Sequence, residues 1–169
     1  MRSFQVAHDN RHLGRLSEQD KWDALAGCAA MQSLMGTDFV HRLGNADLRE
    51  RLFKPALKGE KIGAICMTEP NAGSDLANLQ TRAVLDGDWY VINGQKVWTS
   101  MAHVSEWGFY LVRTDPNAAK HKGISFILID MKTPGISIRP LRQITGEAEF
   151  NEVYLTDARI PDAWRIGEV

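Results

Sequence analysis

The 169-residue sequence is poor in cysteine. Cys28 and Cys66 are too few for a disulfide framework. No apolar run approaches the roughly 20 residues that a membrane-spanning helix needs. Neither charge sign is in excess: 20 Lys and Arg stand against 21 Asp and Glu, for a net charge of −1. That balance excludes a basic field able to hold nucleic acid by counterion release. It also excludes the one-signed composition of a disordered chain. The opening stretch MRSFQVAHDNRHLGRLSEQD lacks the apolar centre of a signal peptide, so the expected compartment is the cytosol. There is no P-loop Gly-Lys-Ser/Thr, no Rossmann GxGxxG and no HExxH. His8 and His12 share the i, i+4 spacing of helical metal ligands. No third ligand accompanies them, so they read as surface histidines and no metal is expected.

What remains is 44% hydrophobic and 24% charged, an ordinary composition for a domain with a real core. The length allows one domain, or a small domain with a helical piece, and excludes a complete three-domain enzyme. Residues 1–60 read as helical. Ser17 and Asp20 open an apolar-periodic segment (Trp22, Leu25, Ala26, Ala29) that Gly36 stops. Asn45 caps a second helix, with Leu48 and Leu52 on one face and Glu50 and Lys54 as an exposed i, i+4 pair. Pro55 weakens its end, and Lys58–Lys61 form a polar joint.

From residue 61 the period changes to that of strands. Ile62–Thr68, Thr81–Leu85, Glu106–Thr114, Gly123–Met131, Ile136–Leu141 and Phe150–Leu155 are apolar or alternating runs, and Asp86-Gly87-Asp88 is a turn. Trp89–Ile92, Asn93-Gly94 and Gln95–Thr99 predict a hairpin, since Asn-Gly suits a type I′ turn. The expected fold is α+β: a short N-terminal helical segment over 1–60, then an antiparallel β-barrel over 61–169.

Two clusters carry candidate chemistry. Met67-Thr-Glu-Pro-Asn-Ala-Gly-Ser-Asp75 follows a buried strand directly. Pro70 fixes φ and Gly73 frees it, so successive amides can turn inward as an anion nest, with Thr68 and Ser74 adding hydroxyls. The same residues also suit a tight surface turn with Ser and Asp as caps. In Lys96-Val97-Trp98-Thr99-Ser100, Trp98 and Ser100 fall on one face of a strand. A flat aromatic beside a hydroxyl suits a planar heterocycle, and equally a packed Trp near a strand end. Cys28 and Cys66 read as core residues, because no neighbouring base would activate them. Trp22, Trp89, Trp107 and Trp164 read as packing residues, and His103 and His121 as loop residues.

Together these clusters resemble the acyl-CoA dehydrogenase family. Residues 68–75 resemble its T-E-P-x-A-G-S-D signature, and Asn93–Ser100 its N-G-x-K-x-W-x-[TS] segment. Glu149–Pro161 is similar to its E-V-x-x-x-D-V-x-[VI]-P segment, and Gly167-Glu168 to the pair that precedes its C-terminal helices. The resemblance implies an FAD flavoprotein that removes hydrogen from the α and β carbons of an acyl-CoA thioester. It implies flavin contacts at Ile65, Met67, Thr68, Gly73, Ser74, Trp98, Thr99 and Ser100. Thr68 would meet the pyrimidine side of the ring and Gly73 and Ser74 the pyrophosphate. Trp98 would pack on the ring, and Ser100 would bond near N5. Ser74 would also touch the acyl-CoA. Ile65 departs from the aromatic residue common there. The implied partners are an acyl-CoA substrate, an electron-transfer flavoprotein as electron acceptor, and further subunits of a homo- or hetero-oligomer. The family's base is a carboxylate of a C-terminal helical domain, which this chain is expected to lack. No catalytic residue is therefore assigned here, and the chain alone is expected to be inactive. An acyl-CoA oxidase or a flavin monooxygenase on the same fold, or an inactive truncated fragment, are the alternatives.

Overall fold

The computed structural model describes Ser17, Gln19 and residues 37–167. The helix expected over 17–36, with Trp22, Cys28 and Gly36, lies outside the described residues, as do His8, His12 and Glu168. The chain divides into two compact units, Met1–Ile62 and Gly63–Val169.

In the first unit, α1 (Asp38–Leu43) precedes a continuous helical run made of α2 (Ala46–Leu48), a π-helical stretch (Arg49–Phe53) and α3 (Lys54–Leu57). Asn45 is the cap, as its sequence position implies: its side chain accepts a hydrogen bond from Leu48 N at 2.9 Å. Val40, Leu48, Leu52 and Ala56 are buried. Glu50 and Lys54 form the exposed pair, at 2.5 Å. Pro55 does not end the run but lies inside it. The π stretch explains how. A proline inside a helix has no N–H for the i−4 carbonyl and crowds it. Here Lys54 N bonds to Arg49 O in an i, i+5 register. The Arg51 carbonyl that Pro55 cannot satisfy accepts from Lys61 Nζ at 3.1 Å instead. The chain leaves the helix through Gly59, whose φ is +68°.

The second unit is a mostly antiparallel sheet of barrel type. Its strands are β1 (Gly63–Cys66), β2 (Arg82–Asp86), β3 (Trp89–Ser100), β4 (Trp107–Arg113), β5 (Ile124–Asp130), β6 (Ile136–Leu141), β7 (Phe150–Pro161) and β8 (Arg165–Ile166). The order is β6-β7-β3-β2-β4-β5-β8, so the sheet does not close. β1 lies parallel to the first half of β4, and β2 touches the far end of that strand at Arg82 and Arg113, also in parallel. The buried faces of β1, β3, β4, β5 and β7 meet in one core containing Ala64, Cys66, Ile92, Tyr110, Ile127, Val153 and Ile160. Among the described residues no helix is long and apolar enough to cross a membrane.

Asn93-Gly94 is not a hairpin turn. β3 runs unbroken from Trp89 to Ser100, and the hairpin is made earlier, at Asp86-Gly87-Asp88, where Gly87 has φ +62°. Asn93 instead spans to β7. Its Nδ2 donates to Asp157 Oδ1 (3.0 Å) and its Oδ1 accepts from Asp157 N (2.9 Å). That pairing fills a bulge on β7, where Asp157 has φ +50° and the register slips. Gly94 has a packing reason to be glycine. A Cβ there would lie 2.7 Å from Thr81 Cα. β7 also runs on beyond Leu155, as far as Pro161.

Candidate functional site

The site is built where β1 runs out into the 67–75 loop and meets β3. Ala64 and Cys66 point into the core, and Ile65 and Met67, which alternate with them, are half-buried. Glu69-Pro70-Asn71-Ala72 closes on itself by two reciprocal backbone bonds of 3.1 Å, Glu69 N to Ala72 O and Ala72 N to Glu69 O. Pro70 supplies the fixed φ that this turn needs. The following segment, Gly73-Ser74-Asp75, is exposed. It leads into a 3-10 turn at Leu76–Asn78, whose Ala77 carbonyl accepts from Arg113. Lys120 pairs with Asp75 at 3.1 Å. This pair is solvent-exposed and contributes little.

The loop is fastened from beneath. Glu69 turns its carboxylate inward, where Oε2 accepts from Gln80 N (2.6 Å) and Oε1 from Thr81 N (2.9 Å) and Lys96 Nζ (2.8 Å). Lys96 is fully buried, and its ammonium also donates to Met67 O at 3.1 Å. One residue further, Val97 N donates to Thr68 O at 2.9 Å. A buried ion pair and a backbone bond thus fix the register of the 67–69 segment against β3. Burial pushes the Glu69 carboxyl upward. The Lys96 ammonium and the amides of Gln80 and Thr81 outweigh it, holding the group below its ordinary range. Burial draws Lys96 below the ordinary lysine value, against the pull of Glu69. With its oxygens so engaged, Glu69 is a poor proton acceptor and is not a catalytic base.

Beyond Lys96, β3 bulges. Lys96 pairs with Val153, but the next pair is Thr99 with Asn151, so one extra residue enters β3. Trp98 takes up the irregularity, with φ +58°, a conformation costing a non-glycine residue roughly 1–2 kcal/mol. The bulge changes which residues point inward. Tyr90, Ile92 and Lys96 are buried before it and Thr99 after it, so Trp98 and Ser100 both point out. Trp98 is 58% exposed and meets Phe150 edge-on, with centroids 6.0 Å apart and planes at 77°. Thr99 presents its side chain to the core, near Cys66 and Tyr110. Burial pushes the Cys66 thiol up to about 12, so it is no nucleophile. Trp107 and Trp164 are packing residues, their rings 5.1 Å apart, but Trp89 is 43% exposed and does not belong to the core.

Of the eight expected contact residues, Thr68 and Trp98 are brought together by the backbone bond between Thr68 and Val97, and Ser100 shares the exposed side of Trp98. Gly73 and Ser74 sit free at the loop's exposed end, and Thr99 faces away. Three contributors carried no role in the sequence reading: the buried Glu69–Lys96 pair, Phe150 against Trp98, and the buried Asn151 opposite Thr99. Lys96 and Asn151 did leave a trace, because each is a polar residue on the inward phase of an otherwise apolar strand. Among the described residues no group of His, Cys, Asp or Glu could hold a metal.

An outward aromatic and its neighbouring hydroxyls thus sit above a buried ion pair on a mostly antiparallel sheet domain. Residues 64–158 match the family model described as acyl-CoA dehydrogenase, middle domain. Over 127 residues the chain is 52% identical to acyl-CoA dehydrogenase FadE34 of Mycobacterium tuberculosis, covering 75% of this chain and 18% of that protein. It is 46% identical over 147 residues to benzylmalonyl-CoA dehydrogenase of Aromatoleum aromaticum, covering 86% of this chain and 38% of that protein. Among solved structures it resembles the Tcur3481-Tcur3483 steroid ACAD G363A variant, with TM-score 0.79 and 35% identity over 83% of this chain and 37% of that one. It also resembles a glutaryl-CoA dehydrogenase from Mycobacterium smegmatis in complex with FADH2, with TM-score 0.70 and 26% identity over 80% of this chain and 34% of that one. The chain belongs to the acyl-CoA dehydrogenase family, whose members are oxidoreductases. It spans well under half the length of these relatives.

Proposed function

We propose that this chain is the flavin- and acyl-CoA-binding sheet domain of an FAD-dependent enzyme that desaturates an acyl-CoA thioester between its α and β carbons. The observation that carries this reading is Trp98, held outward by a strained bulge beside the fastened 67–69 segment. Exposing an aromatic face at a conformational cost makes sense where a flat ligand covers it. The donor set fits FAD: hydroxyls at Thr68 and Ser100 for the ring edge, and the exposed Gly73-Ser74 backbone and Ser74 hydroxyl for the pyrophosphate. Ile65 and Met67 supply apolar edges, and Thr99 contributes through its backbone. Ser74 would also meet the acyl-CoA.

When bound, FAD supplies the hydride-accepting chemistry. The chain's own residues orient and stabilise. Trp98 covers a ring face and excludes water from it. Ser100 donates a hydrogen bond towards the edge where charge accumulates, a fixed donor of the kind that lowers such barriers. The family resemblance implies a proton-abstracting carboxylate on a C-terminal helical domain; Glu69, already engaged by Lys96 and two amides, is not offered for that role. Several relatives are named for ring-bearing substrates: benzylmalonyl-CoA, cyclohexane-1-carbonyl-CoA and, for two structures, a steroid. They support a bulky, ring-bearing acyl group. One similar structure is the ChsE4-ChsE5 complex of Mycobacterium tuberculosis, which supports assembly with further subunits. An electron-transfer flavoprotein is the proposed electron acceptor, and the cytosol the proposed compartment.

The test is flavin retention and reduction by the full-length protein carrying this chain. It should be yellow as purified and bleach anaerobically with a ring-bearing acyl-CoA. Colourless protein that takes up no added FAD refutes the proposal. Faster recolouring by O₂ than by an electron-transfer flavoprotein would make the enzyme an oxidase.

A further inference from the structure

Trp98 and Met101 are both left-handed without being glycine, with φ +58° and +59°, and they bracket Thr99 and Ser100. Two such residues so close together persist only where the surroundings over-determine the backbone. The strongest restraint here is a side chain. Asn151 is fully buried, and its Nδ2 donates to Thr99 O (3.0 Å) and Glu149 O (3.3 Å). Met101 N donates to the same Glu149 carbonyl at 2.9 Å. The side-chain amide carries two hydrogens, and the two carbonyls use both. His103 Nδ1 lies 3.2 Å from Asn151 Oδ1 and 3.1 Å from Nδ2; with both amide hydrogens given to the carbonyls, the pairing is assigned as His103 Nδ1–H to Oδ1. His103 itself is exposed, on the turn that follows Met101.

We propose that Asn151, backed by His103, is a positioning residue for the ligand-contacting stretch of β3. It ties the carbonyl between Trp98 and Ser100 to β7, and so fixes the direction of the Trp98 ring and the Ser100 hydroxyl. It acts through the backbone and touches no ligand itself. The inference rests on the flavin reading for its consequence, but its structural half can be tested without flavin.

The test compares Asn151→Ala and His103→Ala with the wild type in the full-length protein, by amide hydrogen exchange over residues 97–103 and by FAD titration at a temperature well below melting. Asn151→Ala removes the side-chain donor to the buried Thr99 carbonyl and one of the two donors to Glu149 O, and should raise the FAD dissociation constant about tenfold or more. Exchange should quicken in that segment while the β4–β5 amides stay protected. His103→Ala, at an exposed position that does not threaten folding, should act in the same direction and less, about threefold. Local exchange unchanged in both variants overturns the proposal, as does faster exchange with wild-type FAD affinity and visible spectrum. If Asn151→Ala does not fold, the exchange and affinity of His103→Ala decide alone. If the wild type binds no FAD, the function proposed above falls, and the exchange comparison still decides whether Asn151 holds the segment.

Discussion

Replacing Lys96 by Met should be the most damaging single change in the 67–75 region. Met fills much of the same volume but leaves the Glu69 carboxylate buried with only the Gln80 and Thr81 amides as partners. It also removes the donor to Met67 O. Breaking a buried pair from one side costs roughly 3–5 kcal/mol, because a buried charge is left uncompensated. For a unit of about this size, each kcal/mol moves the melting temperature by about 4 °C, so the loss should be about 12–20 °C near neutral pH. The pH dependence should reverse in sign. In the wild type the Glu69 carboxyl is held below its ordinary value of 4.5. The folded state then binds fewer protons than the unfolded chain, so the stabilisation is complete above that value and is lost as pH falls below it and through the depressed folded value. In Lys96→Met, burial acts on Glu69 without the cation and raises the group. The folded state then holds the extra proton, and the variant should melt higher at pH 5 than at pH 8. Adding Glu69→Gln should recover a large part of the loss, since no buried charge remains. Thermal melts followed by circular dichroism from pH 4 to 9 decide it. Lys96→Met melting within 2 °C of wild type, or gaining stability as pH rises from 5 to 8, would refute the reasoning.

Trp98→Gly should separate stability from binding. Relief of the left-handed strain offsets the lost edge contact with Phe150, so the melting temperature should stay within a few degrees while FAD affinity drops at least tenfold. A drop in melting temperature as large as that of Lys96→Met would contradict the exposed, strained geometry. Gly94→Ala, which drives a Cβ against Thr81, should cost about 1–3 kcal/mol in denaturant unfolding. A neutral result would mean that the two strands separate more easily than their packing indicates. Cys66 should resist iodoacetamide in the native protein at pH 8 and react once unfolded, as read by peptide mass spectrometry of that residue. Rapid native labelling would show that the core beneath the loop opens.

Strand positions were largely legible because one face of the sheet is dry. The alternation in β3 up to Lys96, and the apolar runs of β4 and β5, follow directly from that. Legibility failed where distant residues override local preference. Asn93-Gly94 carries a strong local turn signal, yet Asp157 and Thr81, far off in sequence, use it as a bulge partner and a close-packing point. The sequence signal for β7 stops at Leu155 because the bulge at Thr156 and Asp157 breaks the alternation, so that Ala158 and Ile160 fall out of phase with Val153 and Leu155. Pro55 carries the local signal of a weak helix end because the lysine that satisfies the Arg51 carbonyl lies beyond the helix. The hydroxyls and the aromatic of the site were visible as a motif. Their support was not, since a lysine and an asparagine on inward phases announce a buried polar bond but not its partner.

The two register slips between β3 and β7 have a consequence for how this region can change. The first places an extra residue in β7, at Thr156–Asp157, and the second places one in β3, around Trp98. The slips cancel, so Thr99 and Ser100 return to the frame that Trp89 to Ile92 set. The strands therefore behave like a sentence with one letter added and one removed: only the words between are shifted. Straightening either bulge with its extra residue kept in the strand would throw the far end of the pair out of frame. Losing both together would leave two regular strands with their ends still in phase. Each bulge can instead be excised on its own: deleting Trp98 or Asp157 removes the extra residue and leaves the pairs on either side in place, so the fold should tolerate either deletion, and the loss of Trp98 should cost binding.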